Sequence, residues 1–362
     1  MLPRSLGTRP RLAIEVRPEG VIAARAEENS SSIAALARSE FAAGTALPLL
    51  RPGTTAAHAP AEVAPAPALT PTDRATLVAA VRKSLDAICQ RGRETTVIVP
   101  DSAVRVLLLD FDELPGKPAE ALPVVRFRLK KLLPFDADDA AISYQVMASM
   151  RGLVRVLAVA MPRELLTDYE GIVREAGFEP GAVLPSTLAA LAGLPESDTA
   201  RLLVNVGRDS VTTAIVHAGL LLLHRTLDLR SEDSTSAEGL EPTPGGYLDA
   251  ADAAARLQTS ALARELAAER AILVTETELA QAVSVATAYF EDTLSSPPQA
   301  LLAAGTLSAA ALEQMLAEAG FTGIPVREVV DSAMLAPGAD TLTANSRVSI
   351  GWLAGVRGAL AS

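Results

Sequence analysis

The sequence predicts an α/β protein built as two related lobes, and three observations carry that prediction. Of 362 residues, 49% are apolar but only 3% aromatic. Leu, Val, Ile and Ala must therefore fill the core, a palette that suits helices packed on sheets. Second, a strand, polar turn, strand, strand pattern at the start of the chain returns about 190 residues later. Third, segments of helical and of strand-like apolar spacing follow each occurrence. At roughly 150 residues per domain, the length corresponds to about two to three domains.

The elements follow in order. Leu12-Ala13-Ile14-Glu15-Val16 and residues 21–27 flank a Pro18-Glu19-Gly20 turn, and a third strand is expected near 33–41. Residues 47–71 are rich in Pro, Ala and Thr and read as an irregular loop broken by Pro60, Pro65, Pro67 and Pro71. Thr72 or Asp73 can cap a helix to about Arg91, with Leu77, Val81, Leu85 and Ile88 on one stripe. Strands are expected at 95–99 and 104–109, and a helix at 124–133 that stops at Pro134. Strands at 141–147 and 154–160 and helices at 163–175 and 184–194 complete the first half. Residues 201–228 repeat the opening meander, and 229–244 read as a polar loop. Helices at 247–269 and 276–294 come next, the second with Leu279, Val283, Ala286 and Phe290 on one stripe. A strand at 299–304 turning at Gly305, a helix at 308–319, a strand at 326–330 and a closing helix at 347–360 end the chain. The organisation predicted is a first lobe at 1–200 with a small subdomain inserted at about 101–162. A second lobe follows at 201–346 with a helical insertion at about 245–295. The closing helix, 347–362, is expected to pack back on the first lobe.

Composition excludes several functions. The net charge of −11 argues against a general grip on nucleic acid or anionic lipid. A single cysteine, Cys89, excludes an internal disulfide and a Cys-rich zinc site, and it reads as a buried helix thiol. His58, His217 and His224 offer little to a His-ligated metal. No signal-peptide core or membrane-length apolar run is found, so a cytosolic protein is expected. P-loop, Rossmann, H-E-x-x-H, C-x-x-C and G-x-S-x-G motifs are missing. The acid pairs Asp110/Asp112 and Asp138/Asp139 read as solvated strand ends or loops.

Five segments remain, in this order: Leu12-Ala13-Ile14-Glu15-Val16; Leu132-Leu133-Pro134-Phe135-Asp136 with Ser143-Tyr144-Gln145-Val146; Leu203-Val204-Asn205-Val206-Gly207; Leu301-Leu302-Ala303-Ala304-Gly305; and Val348-Ser349-Ile350-Gly351-Trp352-Leu353-Ala354. Together they resemble the PilM family, actin-like cytoplasmic components of type IV pilus inner-membrane platforms, over nearly the whole chain. The resemblance implies an actin-like ATPase fold, with duplicated ribonuclease H-like lobes and ATP with Mg²⁺ in the cleft. It also implies a relation to the cytoplasmic domain of GspL. The candidate cofactor-binding residues it marks are Glu15, Arg17, Asn205, Gly207 and Gly305. Three of these motifs are eroded. Arg17 stands where the family pattern has a phosphate-approaching glycine, Asn205 where it has an acid, and Ala304 replaces the first of two adenosine-site glycines.

These departures point to a pseudo-ATPase for which no cofactor is expected, with ATP and Mg²⁺ kept as the cofactors the fold would still admit. An active ATPase or sugar kinase of the same fold is the alternative. The resemblance further implies a PilN-like bitopic partner whose N-terminal tail docks near the small subdomain. The expected docking residues are Arg126, Arg128, Lys130, Lys131, Pro134 and Phe135. The basic run 126–131 opposes the acidity of the rest of the chain, and Val125, Leu129, Leu132 and Leu133 are expected on its buried side.

Overall fold

The computed structural model describes residues 10–27, 32–41, 45–50, 69–229, 276–331 and 349–361. Two five-stranded sheets carry the same topology. Strands β1 (Leu12–Arg17), β2 (Gly20–Ala26) and β3 (Ile33–Glu40) form an antiparallel meander, and β4 (Glu94–Val99) and β8 (Glu179–Pro185) extend it in parallel, in the order β3-β2-β1-β4-β8. In the second sheet, β9 (Arg201–Val206), β10 (Ser210–His217) and β11 (Leu220–Asp228) form the meander, and β12 (Leu301–Gly305) and β13 (Val326–Glu328) add in parallel, in the order β11-β10-β9-β12-β13. Meander plus two parallel strands is the ribonuclease H-like pattern, and its duplication is the actin-like ATPase fold.

Helices cover both faces of the first sheet, so all six residues of β1 are buried. On the outer face lie α1 (Pro71–Ile88) and α3 (Arg163–Glu175), whose Leu77, Val81, Leu85, Tyr169 and Ile172 join Ile14, Val16 and Val97 in one cluster. The inner face packs α4 (Ser186–Ala192) and the closing helix Leu353–Ala361. There Ala13, Ile22 and Ile98 of one sheet meet Leu203 and Ala304 of the other through Ala189, Trp352, Leu353 and Val356. Close approach of the two helices depends on Gly358, where a Cβ would lie 1.8 Å from the Ala189 carbonyl oxygen. The outer face of the second sheet packs the helical residues 276–294, here α5, and α6 (Ala309–Glu318). The α5 stripe Leu279, Val283, Ala286 and Phe290 is buried as its spacing predicts.

Between β4 and β8 a small antiparallel sheet is inserted, β5 (Arg105–Phe111), β6 (Ala140–Met150) and β7 (Leu153–Pro162) in the order β5-β7-β6, with α2 (Pro118–Leu129) on one face.

Several expectations are corrected. α1 is capped by Thr70, whose side chain accepts from the Asp73 N–H, and Pro71 opens the helix at a position where a missing N–H costs nothing. Pro118 likewise starts α2 six residues before the predicted position, Pro123 is tolerated inside it, and the helix stops at Leu129, ahead of Pro134. Because of that early stop, Leu132 turns outward, 49% exposed, and the buried side is Ala121, Val125 and Leu129. Strand β8 was not expected, since Pro180, Gly181 and Pro185 argue against a strand; it survives at a sheet edge, where missing N–H groups matter less. The predicted helix at 184–194 is shortened to Ser186–Ala192 in consequence. Cys89 is half-buried at the end of α1, donating to the Gly92 carbonyl, rather than sealed in the core. The predicted helix at 247–269, residues 51–68 of the predicted loop, most of the 229–244 loop and the start of the closing helix lie outside the described residues.

Candidate functional site

The site lies between the lobes, at the ends of β1, β4, β8 and β9. A strand alternates its faces, so Ala13, Glu15 and Arg17 of β1 point inward while Ile14 and Val16 point to the outer core. The same period in β9 sends Leu203 and Asn205 inward and Leu202 and Val204 outward. Inserted 190 residues apart, Glu15 and Asn205 therefore face each other across the cleft, as do Arg17 and Gly207.

Arg17, 5% exposed, fills the space between the lobes. Its Nε donates to Glu15 Oε1 at 2.7 Å, and its Nη2 donates to Ser186 Oγ at 2.7 Å and to Asn205 Oδ1 at 2.8 Å. Ser186 Oγ donates in turn to Glu15 Oε1 at 2.6 Å. Asn205 Nδ2 donates to Thr187 Oγ1 at 2.9 Å, Ser186 Oγ at 3.0 Å and Asp101 Oδ2 at 3.2 Å. Asp101 also accepts from the Thr187 N–H at 3.0 Å and the Thr187 hydroxyl at 2.6 Å. One guanidinium and one amide thus tie four segments from two lobes into a single buried network. Lower down, Glu19 of the β1–β2 turn accepts from the Arg208 N–H of the β9–β10 turn and from Thr306 Oγ1 at 3.5 Å, a second tie between the lobes.

The electrostatics follow from burial. Loss of solvent pushes the Glu15 carboxyl above its ordinary value, and the Arg17 guanidinium opposes that push. Burial pulls on Arg17 in the other direction, but Glu15 and Glu19 more than offset it and hold the guanidinium above its ordinary value. His224 of β11, 3.9 Å from Asp101, is pushed below its ordinary value by burial, partly countered by that aspartate. Glu15 Oε2 has no hydrogen-bond partner and faces Gly355 of the closing helix, where a Cβ would come within 2.6 Å of it.

All five residues marked as cofactor-binding meet at this cleft. Gly207 lies against Arg17, where a Cβ would stand at an ordinary contact distance of 3.6 Å from Nη1. Gly305 has φ +94°, and a Cβ would sit 2.0 Å from the Val206 carbonyl oxygen and 2.8 Å from Asn205 Oδ1, so only glycine fits. Among the described residues, the space where Arg17 lies leaves no room for a metal-bound nucleotide. The guanidinium occupies the gap and engages the Glu15 carboxylate, and the cavity beside it, lined by Pro18, Pro100, Arg208 and Ser210 among others, is about 20 Å³. That is space for one water; organic ligands need roughly 300 to 1,000 Å³. Among the described residues no cluster of three or more His, Cys, Asp or Glu could hold a metal ion.

Sequence reasoning missed Asp101, Ser186, Thr187, His224 and Glu19. A signal existed for three of them. Val99-Pro100-Asp101 and Leu184-Pro185-Ser186-Thr187 each place polar residues just past the carboxyl end of a parallel strand, where α/β sheets build their sites.

The docking residues lie apart, on the small subdomain. Arg126 is fastened to the backbone, donating from Nη1 to the carbonyls of Ala137 and, at 3.2 Å, Ala140. Lys130 pairs with Asp138 at 2.5 Å. Arg128 and Lys131 are exposed, Pro134 is exposed and Phe135 half-buried. Arg128 and Lys131 share an outward stripe with Val124, Phe127 and Leu132, and Phe127 is 70% exposed. No helix among the described residues is long and apolar enough to cross a membrane.

No family model matches the sequence, and no curated protein does. Among solved structures, a chain of a PilM-PilN type IV pilus biogenesis complex is similar over 97% of this chain and 98% of its own, at 18% identity and a TM-score of 0.67. The cytoplasmic domain of EpsL, an inner membrane component of the type II secretion system of Vibrio cholerae, matches 60% of this chain and 71% of its own at 13% identity and a TM-score of 0.38. The ethanolamine utilization protein EutJ from Carboxydothermus hydrogenoformans covers 98% and 92% at 12% identity and 0.44. The first of these shows that the chain carries, end to end, the fold found in the PilM-PilN complex.

Proposed function

We propose that this protein is a nucleotide-independent, actin-like adaptor of a type IV pilus or related secretion platform. In that role it stands on the cytoplasmic face of the inner membrane and holds the N-terminal tail of a PilN-like bitopic protein. One observation carries the nucleotide-independent half of the reading: Arg17 bridges Glu15, Ser186 and Asn205 across the cleft, so a side chain joins the lobes where a bound ligand would otherwise do so. The adaptor half is supported by the end-to-end likeness to a chain whose complex contains PilN. Docking is assigned to the small subdomain, where exposed Arg128 and Lys131 flank Phe127 and Leu132. Docking of a peptide tail by such side chains needs no phosphate chemistry.

Calorimetry on the full chain tests both halves. MgATP is expected to give no binding heat, and micromolar binding with turnover would overturn the pseudo-ATPase reading. The cytoplasmic N-terminal peptide of the PilN-like protein from the same genome is expected to bind, and to bind more weakly to Arg128→Glu/Lys131→Glu. No heat with the peptide would remove the adaptor.

A further inference from the structure

The edges of the three sheets differ in how well they are guarded. An exposed edge strand offers unpaired N–H and C=O groups to another chain, and charges, prolines or shortness normally blunt it. Among the described strands, β3 carries Arg38 and Glu40, β5 Arg105 and Asp110, and β11 Arg225 and Asp228. β8 has Glu179 and two prolines, and β13 is three residues long with two charges. β6 has none of these devices. Its eleven residues, AAISYQVMASM, hold no charge and no proline, and Val146 and Met150 on it are 43% and 64% exposed.

The outward groups of β6 can be identified. Arg163 donates its N–H to the Asp139 carbonyl at 3.0 Å, and Ala140 lies opposite Pro162, which has no N–H. Residues 139, 141, 143 and 145 therefore turn their backbone groups toward β7. By alternation Ile142, Tyr144 and Val146 turn theirs away from the sheet, and none meets another backbone group there among the described residues. A bulge after Val146 ends the straight run.

We propose that β6 is a self-association edge, pairing antiparallel with β6 of a second copy about a twofold axis at Tyr144. Tyr144 would then face its mate and Ile142 would face Val146, with about six N–H···O bonds formed from the outward groups. Neutrality selects the second copy over a charged tail. In a twofold pairing each residue near the axis meets itself or a near neighbour, so any charge would meet its like. Among the described edge strands, β6 is the one that meets that condition along its whole length.

The experiment is the solution mass of the full chain as its concentration rises. The expected result is a climb from 37.6 kDa toward twice that value. Tyr144→Lys, which sets two lysines against each other on the axis, is expected to stay monomeric with an unchanged circular dichroism spectrum. In a Cys89→Ser background, Tyr144→Cys is expected to form a disulfide-linked dimer on mild oxidation, because hydrogen-bonded pairs hold their Cα atoms about 5.5 Å apart. Met150→Cys, far from the axis, is expected not to link. A monomer at every concentration overturns the proposal, and so does a dimer that survives Tyr144→Lys or links through Met150→Cys as readily.

Discussion

Replacing Arg17 with Met tests whether a guanidinium holds this cleft together. The substitution keeps much of the aliphatic bulk and removes three donated hydrogen bonds, to Glu15 at 2.7 Å, Ser186 at 2.7 Å and Asn205 at 2.8 Å. Glu15 is wholly buried and keeps a single donor, Ser186 Oγ at 2.6 Å. Breaking one side of a buried ion pair costs about 3 to 5 kcal/mol, because the other charge is left without a partner. Replacing both partners with neutral groups is close to neutral, so Arg17→Met/Glu15→Gln is expected to recover most of the loss. The deficit should also depend on pH. Glu15 already sits above its ordinary carboxylate value through burial, and it rises further without Arg17. A carboxyl raised in the folded state stabilises below its unfolded value, near 4.5, and loses that contribution as pH rises through the folded value. The single variant should therefore approach wild type on acidification. Urea unfolding followed by fluorescence suits the measurement, since Trp352 is the one tryptophan and packs in the interlobe core. A single-variant cost below about 1 kcal/mol, the level of an exposed pair, would refute the reasoning, as would a double variant no better than the single.

Other perturbations read other parts of the structure. Gly358→Ala drives a methyl against the Ala189 carbonyl and should cost about 1 to 3 kcal/mol in unfolding experiments, as overpacking does. His224 lies below its ordinary value through burial, so as pH falls below about 6.5 the unfolded chain takes up the proton first and stability drops, by up to about 1.4 kcal/mol per pH unit. His224→Gln should remove that component from the stability profile between pH 7.5 and 5.5. Phe127→Ser should leave stability within about 0.5 kcal/mol, as exposed positions do, while weakening the tail peptide in calorimetry.

The lobes were legible because the opening meander and its return share one signature: three short apolar runs separated by two polar or glycine-bearing turns. The cleft residues Glu15, Arg17 and Asn205 are marked by the resemblance to the PilM family, and alternation along β1 and β9 explains why they turn toward each other between the lobes. Two features hid the rest. Strand β8 is written with Pro180, Gly181 and Pro185, residues that deny a strand in local terms and are allowed only by its edge position. With β8 unrecognised, Ser186 and Thr187 looked like ordinary helix residues rather than the rim of a parallel sheet. Asp101 follows closely on the expected strand at 95–99, whereas His224 enters only through three-dimensional packing, since nothing within a few residues of it predicts a partner across the lobe boundary. On α2, prolines again misled, because Pro118 at a helix start and Pro123 inside it have opposite local meanings and the same letter.

The duplication gives the buried arginine its physical sense. Positions 15 and 205 are equivalent in the two meanders, and so are 17 and 207. Glycine at both 17 and 207 would leave an open gap between the lobes, the arrangement that lets backbone approach an anion. Arginine at both would place two guanidinium groups in one small space with a single Glu15 between them. The chain has one of each, and the two lie in contact, a Cβ at Gly207 falling 3.6 Å from Arg17 Nη1. Asn205 fits the same logic. An aspartate there would add charge beside Asp101, whereas the amide accepts from Arg17 with its oxygen and donates to Asp101, Ser186 and Thr187 with its nitrogen. On the proposed reading, Arg17 and Asn205 therefore act as one change rather than two independent losses, with a side chain in place of a ligand as the bridge between the lobes.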